Sequence, residues 1–171
     1  MSEAKTLTLP LSRKDAESLS LGDTVMLSGP IVVTAGIPTH QRILDRIRSG
    51  EELPIDLNQA AFFHLGSYSR ESEAGFEVLY MNPTTSTRFN AMMPEIIRHF
   101  QLRCVGGKGG LDAECARALK DVGGVYLSFL GGGAPLISAA IDKIKTVAWE
   151  DLVSHYRLVE MEVRNLGPLT V

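Results

Sequence analysis

Phe89-Asn90-Ala91-Met92-Met93-Pro94-Glu95-Ile96-Ile97-Arg98-His99-Phe100-Gln101-Leu102-Arg103-Cys104-Val105 is the stretch that decides the fold. Phe89, Met92, Met93, Ile96, Ile97 and Phe100 recur at helical spacing, so one face of a helix is apolar and the rest polar. That stripe is core, not a cofactor box. Pro94 falls inside the pattern and predicts a kink or a late helix start, because proline donates no hydrogen bond and its ring clashes with the preceding turn. Leu102 to Val105 then reads as a strand.

The same alternation extends downstream. Asp112 to Lys120 is a helix with Asp112 as N-cap, and Val125 to Leu130 is a buried strand. After Gly131-Gly132-Gly133-Ala134-Pro135 comes a short apolar helix through about Ile141, then strands at Lys145 to Trp149 and Leu158 to Val163. Upstream the chain is richer in strands: Thr6 to Leu9, Thr24 to Leu27, an interruption at Ser28-Gly29-Pro30, and Ile31 to Thr34. Pro38 suits the first turn of a helix running to about Arg48, which Gly50 ends. Ala60 to His64 and Glu77 to Met81 are two more strands, joined by a polar segment from Gly66 to Gly75. A β-rich front half and a β/α layered back half predict a mixed α/β fold in which helices cover a partly parallel sheet.

The 171 residues, 44% hydrophobic and 22% charged, suit a single domain spanning residues 1–171. A net charge of -3 provides no broad basic surface, which argues against nucleic acid. Met1 to Pro10 lacks a signal pattern and no apolar run reaches membrane-spanning length, so a soluble, cytoplasmic protein with no membrane partner is expected. The chain stops at Leu169-Thr170-Val171, in what reads as the start of a further strand, the pattern of a truncated or simply short terminus.

Two cysteines, Cys104 and Cys115, are too few for a four-ligand zinc site or an ordinary iron-sulfur cluster, and the four histidines show no His-x-x-x-His spacing. No metal is expected on this chain. The ordinary reading is buried cysteines and surface histidines.

A doubly wound nucleotide fold is the nearest rival, and its phosphate motifs are missing. Gly106-Gly107-Lys108-Gly109-Gly110 puts Gly109 where a P-loop needs a hydroxyl, and the triple glycine after Leu130 lacks Gly-x-Gly-x-x-Gly spacing. Asn82-Pro83-Thr84-Thr85-Ser86-Thr87-Arg88 carries more chemistry. Its hydroxyls crowd where the next helix leaves N–H groups unpaired, so one of them is expected to be a cap. Capping does not call for Arg88, a cation that would oppose the helix dipole in a first turn. With Lys108 in its glycine turn, the pattern suits a small carboxylate.

These residues resemble the β subunit, or C-terminal domain, of the class I iron-sulfur hydro-lyases, which include class I fumarases and L-tartrate dehydratases. The resemblance covers nearly the whole chain and rests on Asp23 to Gly29 with Ile31 to Thr34, Pro83-Thr84-Thr85-Ser86 with Arg88, Gly107-Lys108-Gly109, and Gly167-Pro168-Leu169. It implies a swivelling β/β/α domain and a hetero-oligomer with an α subunit that carries a [4Fe-4S] cluster on three cysteines. It further implies that Thr84 moves the proton on carbon and that Arg88 and Lys108 clamp the carboxylates of a small dicarboxylate such as malate, fumarate or tartrate. Thr85 and His40 are the further substrate-binding candidates, His40 equally readable as an ordinary first-turn histidine.

One departure is large. After Thr34 the family usually continues Ala-Arg-Asp, whereas this chain has Ala35-Gly36-Ile37 before Pro38-Thr39-His40. Losing one partner of a buried charge pair costs about 2–5 kcal/mol, so the partner chain supplies another cation, the substrate differs, or activity is lost. Arg42, a helical turn further on, is no assured substitute. Asn82 replaces a glycine that the family commonly has. Two function classes follow: a hydro-lyase subunit active only with its partner, and a catalytically altered homologue that binds a carboxylate or a partner chain without turnover.

Overall fold

The computed structural model describes residues 4–171, so the Met1 to Glu3 part of the amino-terminal reading lies outside the described residues. The strands are β1 (Lys5–Thr8), β2 (Thr24–Val33), β3 (Ala61–Phe63), β4 (Leu65–Ser72), β5 (Gly75–Pro83), β6 (Cys104–Gly107), β7 (Val125–Ser128), β8 (Ile141–Ala148) and β9 (Leu158–Thr170). The α-helices are α1 (Arg13–Glu17), α2 (Ile37–Ser49), α3 (Met93–Phe100), α4 (Ala113–Val122) and α5 (Ala134–Ser138), with short 3-10 turns at Ser86–Phe89 and Ser154–Tyr156.

A seven-stranded sheet runs β1-β2-β3-β6-β7-β9-β8, and β9 also pairs with β2, so β2, β3, β6, β7 and β9 close into a ring. The pairs β1–β2, β2–β3, β3–β6 and β6–β7 are parallel, while β9 lies antiparallel to β2, β7 and β8. The mixed α/β expectation holds. Strand alternation sorts the core into two parts. Ile31, Val33, Ala61, Phe63, Cys104, Val125 and Leu127 join one apolar cluster. Val32, Phe62 and Val105 join the other, with Ile43, Leu44, Ile96, Ile97, Ala118 and Leu119 from α2, α3 and α4. No helix among the described residues is long and apolar enough to cross a membrane.

Several boundaries differ from the sequence reading. The segment from Gly66 to Gly75 is not a loop: β4 and β5 form a two-stranded sheet in which Tyr68 pairs with Tyr80 and Arg70 with Glu77. Its polar composition reflects exposure of one face, where the two tyrosine rings stack at 5.9 Å and Arg70 meets Glu77 at 2.7 Å. Ser28-Gly29-Pro30 does not interrupt β2, because register shifts between Val25 and Gly29 absorb the irregularity while pairing with β9 continues. α5 ends at Ser138, and Ile141 already pairs with Val163, so sheet pairing overrides the helical tendency of the alanines between. Leu166 to Thr170 start no new strand; they prolong β9 along the first half of β2.

Candidate functional site

Of the predicted site residues, Thr84, Thr85, Arg88 and Lys108 sit on two turns that are laced together, whereas His40 is buried on α2 with no exposed face to offer a substrate. Thr84 N–H donates to the His64 carbonyl at 2.9 Å, Lys108 N–H to the Thr84 carbonyl at 3.0 Å, and Ser86 N–H to the Lys108 carbonyl at 2.8 Å. Thr85 and Lys108 thereby form a parallel bridge, which joins the Pro83 end of β5 to the Gly107 end of β6. Thr84, Thr85 and Lys108 are half-buried, and Arg88 is exposed. Gly107 is needed for this approach: a Cβ there would lie 3.0 Å from His64 Cβ and 3.1 Å from the Thr84 carbonyl, and closer still to Ser86 Oγ.

Pro94 gives a late helix start, with α3 beginning at Met93. Arg88 therefore does not open that helix. It lies in the last turn of a four-residue 3-10 segment, where a cation opposes no dipole, so that sequence argument falls away. Its surroundings replace it. Among the described residues Arg88 is the one arginine with neither a carboxylate within 4.0 Å nor a hydrogen-bond acceptor, whereas each of the others has a carboxylate or a carbonyl. Arg42 is committed elsewhere, to Asp151 at 2.8 Å and to the face of Trp149.

The expected cap is also absent: no side chain caps the 3-10 turn or α3. The Ser86 hydroxyl turns inward instead, 2.8 Å from His64 Nδ1 and 2.9 Å from the Tyr126 hydroxyl. Sequence reasoning counted Ser86 only among the motif hydroxyls and did not foresee its contacts with His64 and Tyr126, although a histidine ending the buried run Ala61-Phe62-Phe63 was a usable signal. His40 and His64 overturn the surface-histidine reading, since both are fully buried. His40 stacks on Phe89 at 4.0 Å, donates from Nδ1 to the Gly36 carbonyl at 2.7 Å, and leaves Nε2 without a partner. Burial pushes its pKa down to about 4; His64 is also held well below the ordinary imidazole range, by burial first and then by repulsion from His40.

At the departure from the family pattern there is no space for a side chain. A Cβ on Gly36 would lie 2.8 Å from Tyr156 Cβ and 3.0 Å from its Cα, besides striking Thr39 Oγ1. The 3-10 turn at Ser154–Tyr156 fills that position, held as Thr34 Oγ1 donates to the Tyr156 carbonyl and Ala35 N–H to the His155 carbonyl. A surface cleft of about 560 Å³ lies elsewhere, between the carboxy-terminal ends of α2 and α3. It contains none of the predicted residues. The Thr84 and Lys108 turns carry the clustered hydroxyls together with Arg88 and Lys108, two cations without a protein partner among the described residues, so chemistry rather than cleft size makes them the candidate site. No three His, Cys, Asp or Glu side chains converge on a metal position among the described residues. Cys104 and Cys115 are buried and unpaired, and burial pushes both thiols up to about 12, leaving them protonated.

Fold and site together define a mixed α/β chain that presents hydroxyls and cations from two laced turns. The family profile described as Fumarase C-terminus matches residues 2–171, and the chain belongs to that family. A provisionally named L(+)-tartrate dehydratase subunit beta of Methanocaldococcus jannaschii is 35% identical over 94% of this chain and 83% of its own length. The L(+)-tartrate dehydratase subunit beta of Escherichia coli K12 is 29% identical over 98% and 81%, respectively. A provisionally named class I fumarate hydratase of Geobacillus stearothermophilus is 34% identical over 85% of this chain, which covers 28% of that longer protein.

Proposed function

We propose that this chain is the β-type subunit of a hydro-lyase that adds or removes water at a small hydroxy-dicarboxylate, with the iron-sulfur cluster held by a separate α-type chain. The observation that carries this reading is Arg88, the one arginine without a protein partner among the described residues, four positions along the chain from Thr84 in the turn that the Thr85–Lys108 bridge ties to a second cation. The names of the relatives, two of them β subunits, support the reaction class and the need for a partner.

The residues of this chain do not fit a cluster, as both thiols are buried and protonated and no three ligand side chains converge among the described residues. In the partner, such a cluster would supply Lewis acidity at the departing hydroxyl. On this chain Arg88 and Lys108 hold the carboxylates. A proton next to a carboxylate is very weakly acidic, and positive charge placed where the dianion develops stabilises the transition state more than the ground state. Thr84 carries the proton and Thr85 offers a hydrogen bond to the bound carboxylate. A threonine hydroxyl is a weak base unaided, so a group from the partner activates it. His40, buried beneath Phe89, supports the site from within.

The test is an anaerobic complex with the cluster-bearing chain, assayed for double-bond formation from malate and tartrate. Thr84→Ala and Lys108→Ala should each abolish most turnover; wild-type rates in both would remove these residues from the chemistry. The filled position at Gly36 favours one second reading, a homologue that binds a carboxylate without turnover. Melting shifts with dicarboxylates but no turnover in the complex would select it.

A further inference from the structure

The Ser86 hydroxyl lies inside the protein where β7, the end of β3 and the site turn meet. Ser86 and His64 are fully buried, and the contacts form a row: Tyr126 hydroxyl to Ser86 Oγ at 2.9 Å, Ser86 Oγ to His64 Nδ1 at 2.8 Å, His64 Nε2 to Met93 Sδ at 3.4 Å. The chemistry of the last member fixes the direction of all the others. A thioether has no proton to donate, so only a protonated Nε2 makes a favourable contact with Met93. Burial disfavours a charged ring, so Nδ1 is then bare and accepts. Ser86 must donate its only proton to Nδ1, and its oxygen accepts from the Tyr126 hydroxyl. The phenol oxygen then keeps its lone pairs free to accept. The opposite tautomer would set two lone pairs against each other at Met93.

We propose that Tyr126, Ser86 and His64 are positioning residues, a one-directional hydrogen-bond row that holds the Thr84–Arg88 turn in register with the Gly106–Gly110 turn. The row acts at the site because Ser86 is itself laced into it: its N–H meets the Lys108 carbonyl, and Lys108 N–H meets the Thr84 carbonyl. Its hydroxyl rests against Gly107, where no Cβ intervenes. Removing the row leaves the apolar core intact and frees the turn that presents Thr84 and Arg88. The catalytic consequence rests on the function proposed above, while the geometry does not.

Two measurements on the chain alone and one on the complex test this. Nitrogen NMR of the imidazoles should show His64 protonated at Nε2 and bare at Nδ1 at pH 7, with the Nδ1 signal displaced in Ser86→Ala. A His64 found protonated at Nδ1 overturns the ordering. In Tyr126→Phe and Ser86→Ala, the amides at positions 86 and 108 should exchange on the order of tenfold faster, with β9 amides unchanged. Equal acceleration everywhere, or none, overturns the positioning role. In the complex, Tyr126→Phe should lower kcat on the order of tenfold with a smaller change in KM, since slight misplacement of reacting groups is felt in the transition state. Wild-type kcat in that variant, beside an inactive Thr84→Ala, refutes the catalytic consequence. An inactive wild-type complex refutes the hydro-lyase reading instead, and the exchange and tautomer results still decide the row.

Discussion

Acidification from pH 7 to pH 5 should destabilise this protein through His40, by an amount the structure allows to be worked out. The folded ring titrates at about 4, depressed by burial from the ordinary value of 6.5. Above pH 6.5 neither folded nor unfolded chain is protonated there, and His40 contributes nothing to the pH dependence. Between 6.5 and 4 the unfolded chain binds a proton that the folded chain excludes, so stability falls as pH falls, by about 1.4 kcal/mol per pH unit. The loss reaches about 2 kcal/mol at pH 5 and levels off near about 3 kcal/mol below pH 4. His64 adds a loss of the same sign. Urea unfolding at a series of pH values measures this directly, with His40→Phe as the comparison. Phenylalanine keeps a ring against Phe89, removes the unpartnered Nε2 and gives up the bond to the Gly36 carbonyl. At pH 7 these changes should roughly offset, within about 2 kcal/mol. The variant should lose about 2 kcal/mol less than the wild type between pH 7 and 5. Parallel pH profiles for the two proteins would refute the assignment of a neutral, excluded imidazole at position 40.

Three further outcomes are expected. Gly107→Ala should cost about 1–3 kcal/mol in chemical denaturation and weaken dicarboxylate binding, because the methyl displaces Ser86; an unchanged denaturation midpoint would show that the turns tolerate separation. Gly36→Arg, which restores the family's usual residue, should lower Tm and restore no affinity, since Tyr156 occupies the space; a rise in activity would show that the 154–156 turn yields readily. Arg88→Ala should change stability by no more than about 0.5 kcal/mol yet abolish turnover in the complex, and a large Tm loss would reveal a structural partner instead.

The sequence exposed those features whose cause is local. Met93, Ile96, Ile97 and Phe100 of the stripe are the buried face of α3, with Phe89 buried in the 3-10 turn before it, and Asp112 caps α4 by accepting from Cys115 N–H. Pro94 sets where α3 starts, and the Pro83 to Arg88 and Gly106 to Gly110 turns stand together as the spacing of motifs suggested. What stayed hidden depends on partners far along the chain. β4 has polar residues on its open face and becomes a strand through β5. β2 crosses Pro30 because β9 supports it, and the chain turns at Ala139-Ala140 so that Ile141 can pair with the same strand. The inward-turned Ser86 hydroxyl meets His64 and Tyr126, 22 and 40 positions away. The local pattern around Arg88 singled out that residue for a reason the structure removes: it opposes no helix dipole, and what marks it instead is that no protein partner meets it among the described residues.

The closure of the ring by β9 has a consequence for how the chain acquires its shape during synthesis. Thr24 pairs with Thr170 and Val25 with Leu169, so β2 finds one neighbour only when residues about 145 positions later have been made. Until those residues leave the ribosome, β2 displays an open edge along Thr24–Leu27, a template for pairing with other chains. Contacts of such long sequence separation are slow to form. The interval between translating β2 and β9 is therefore the period in which this protein is most prone to associate wrongly, and it is when a chaperone that shields strand edges would raise its yield most.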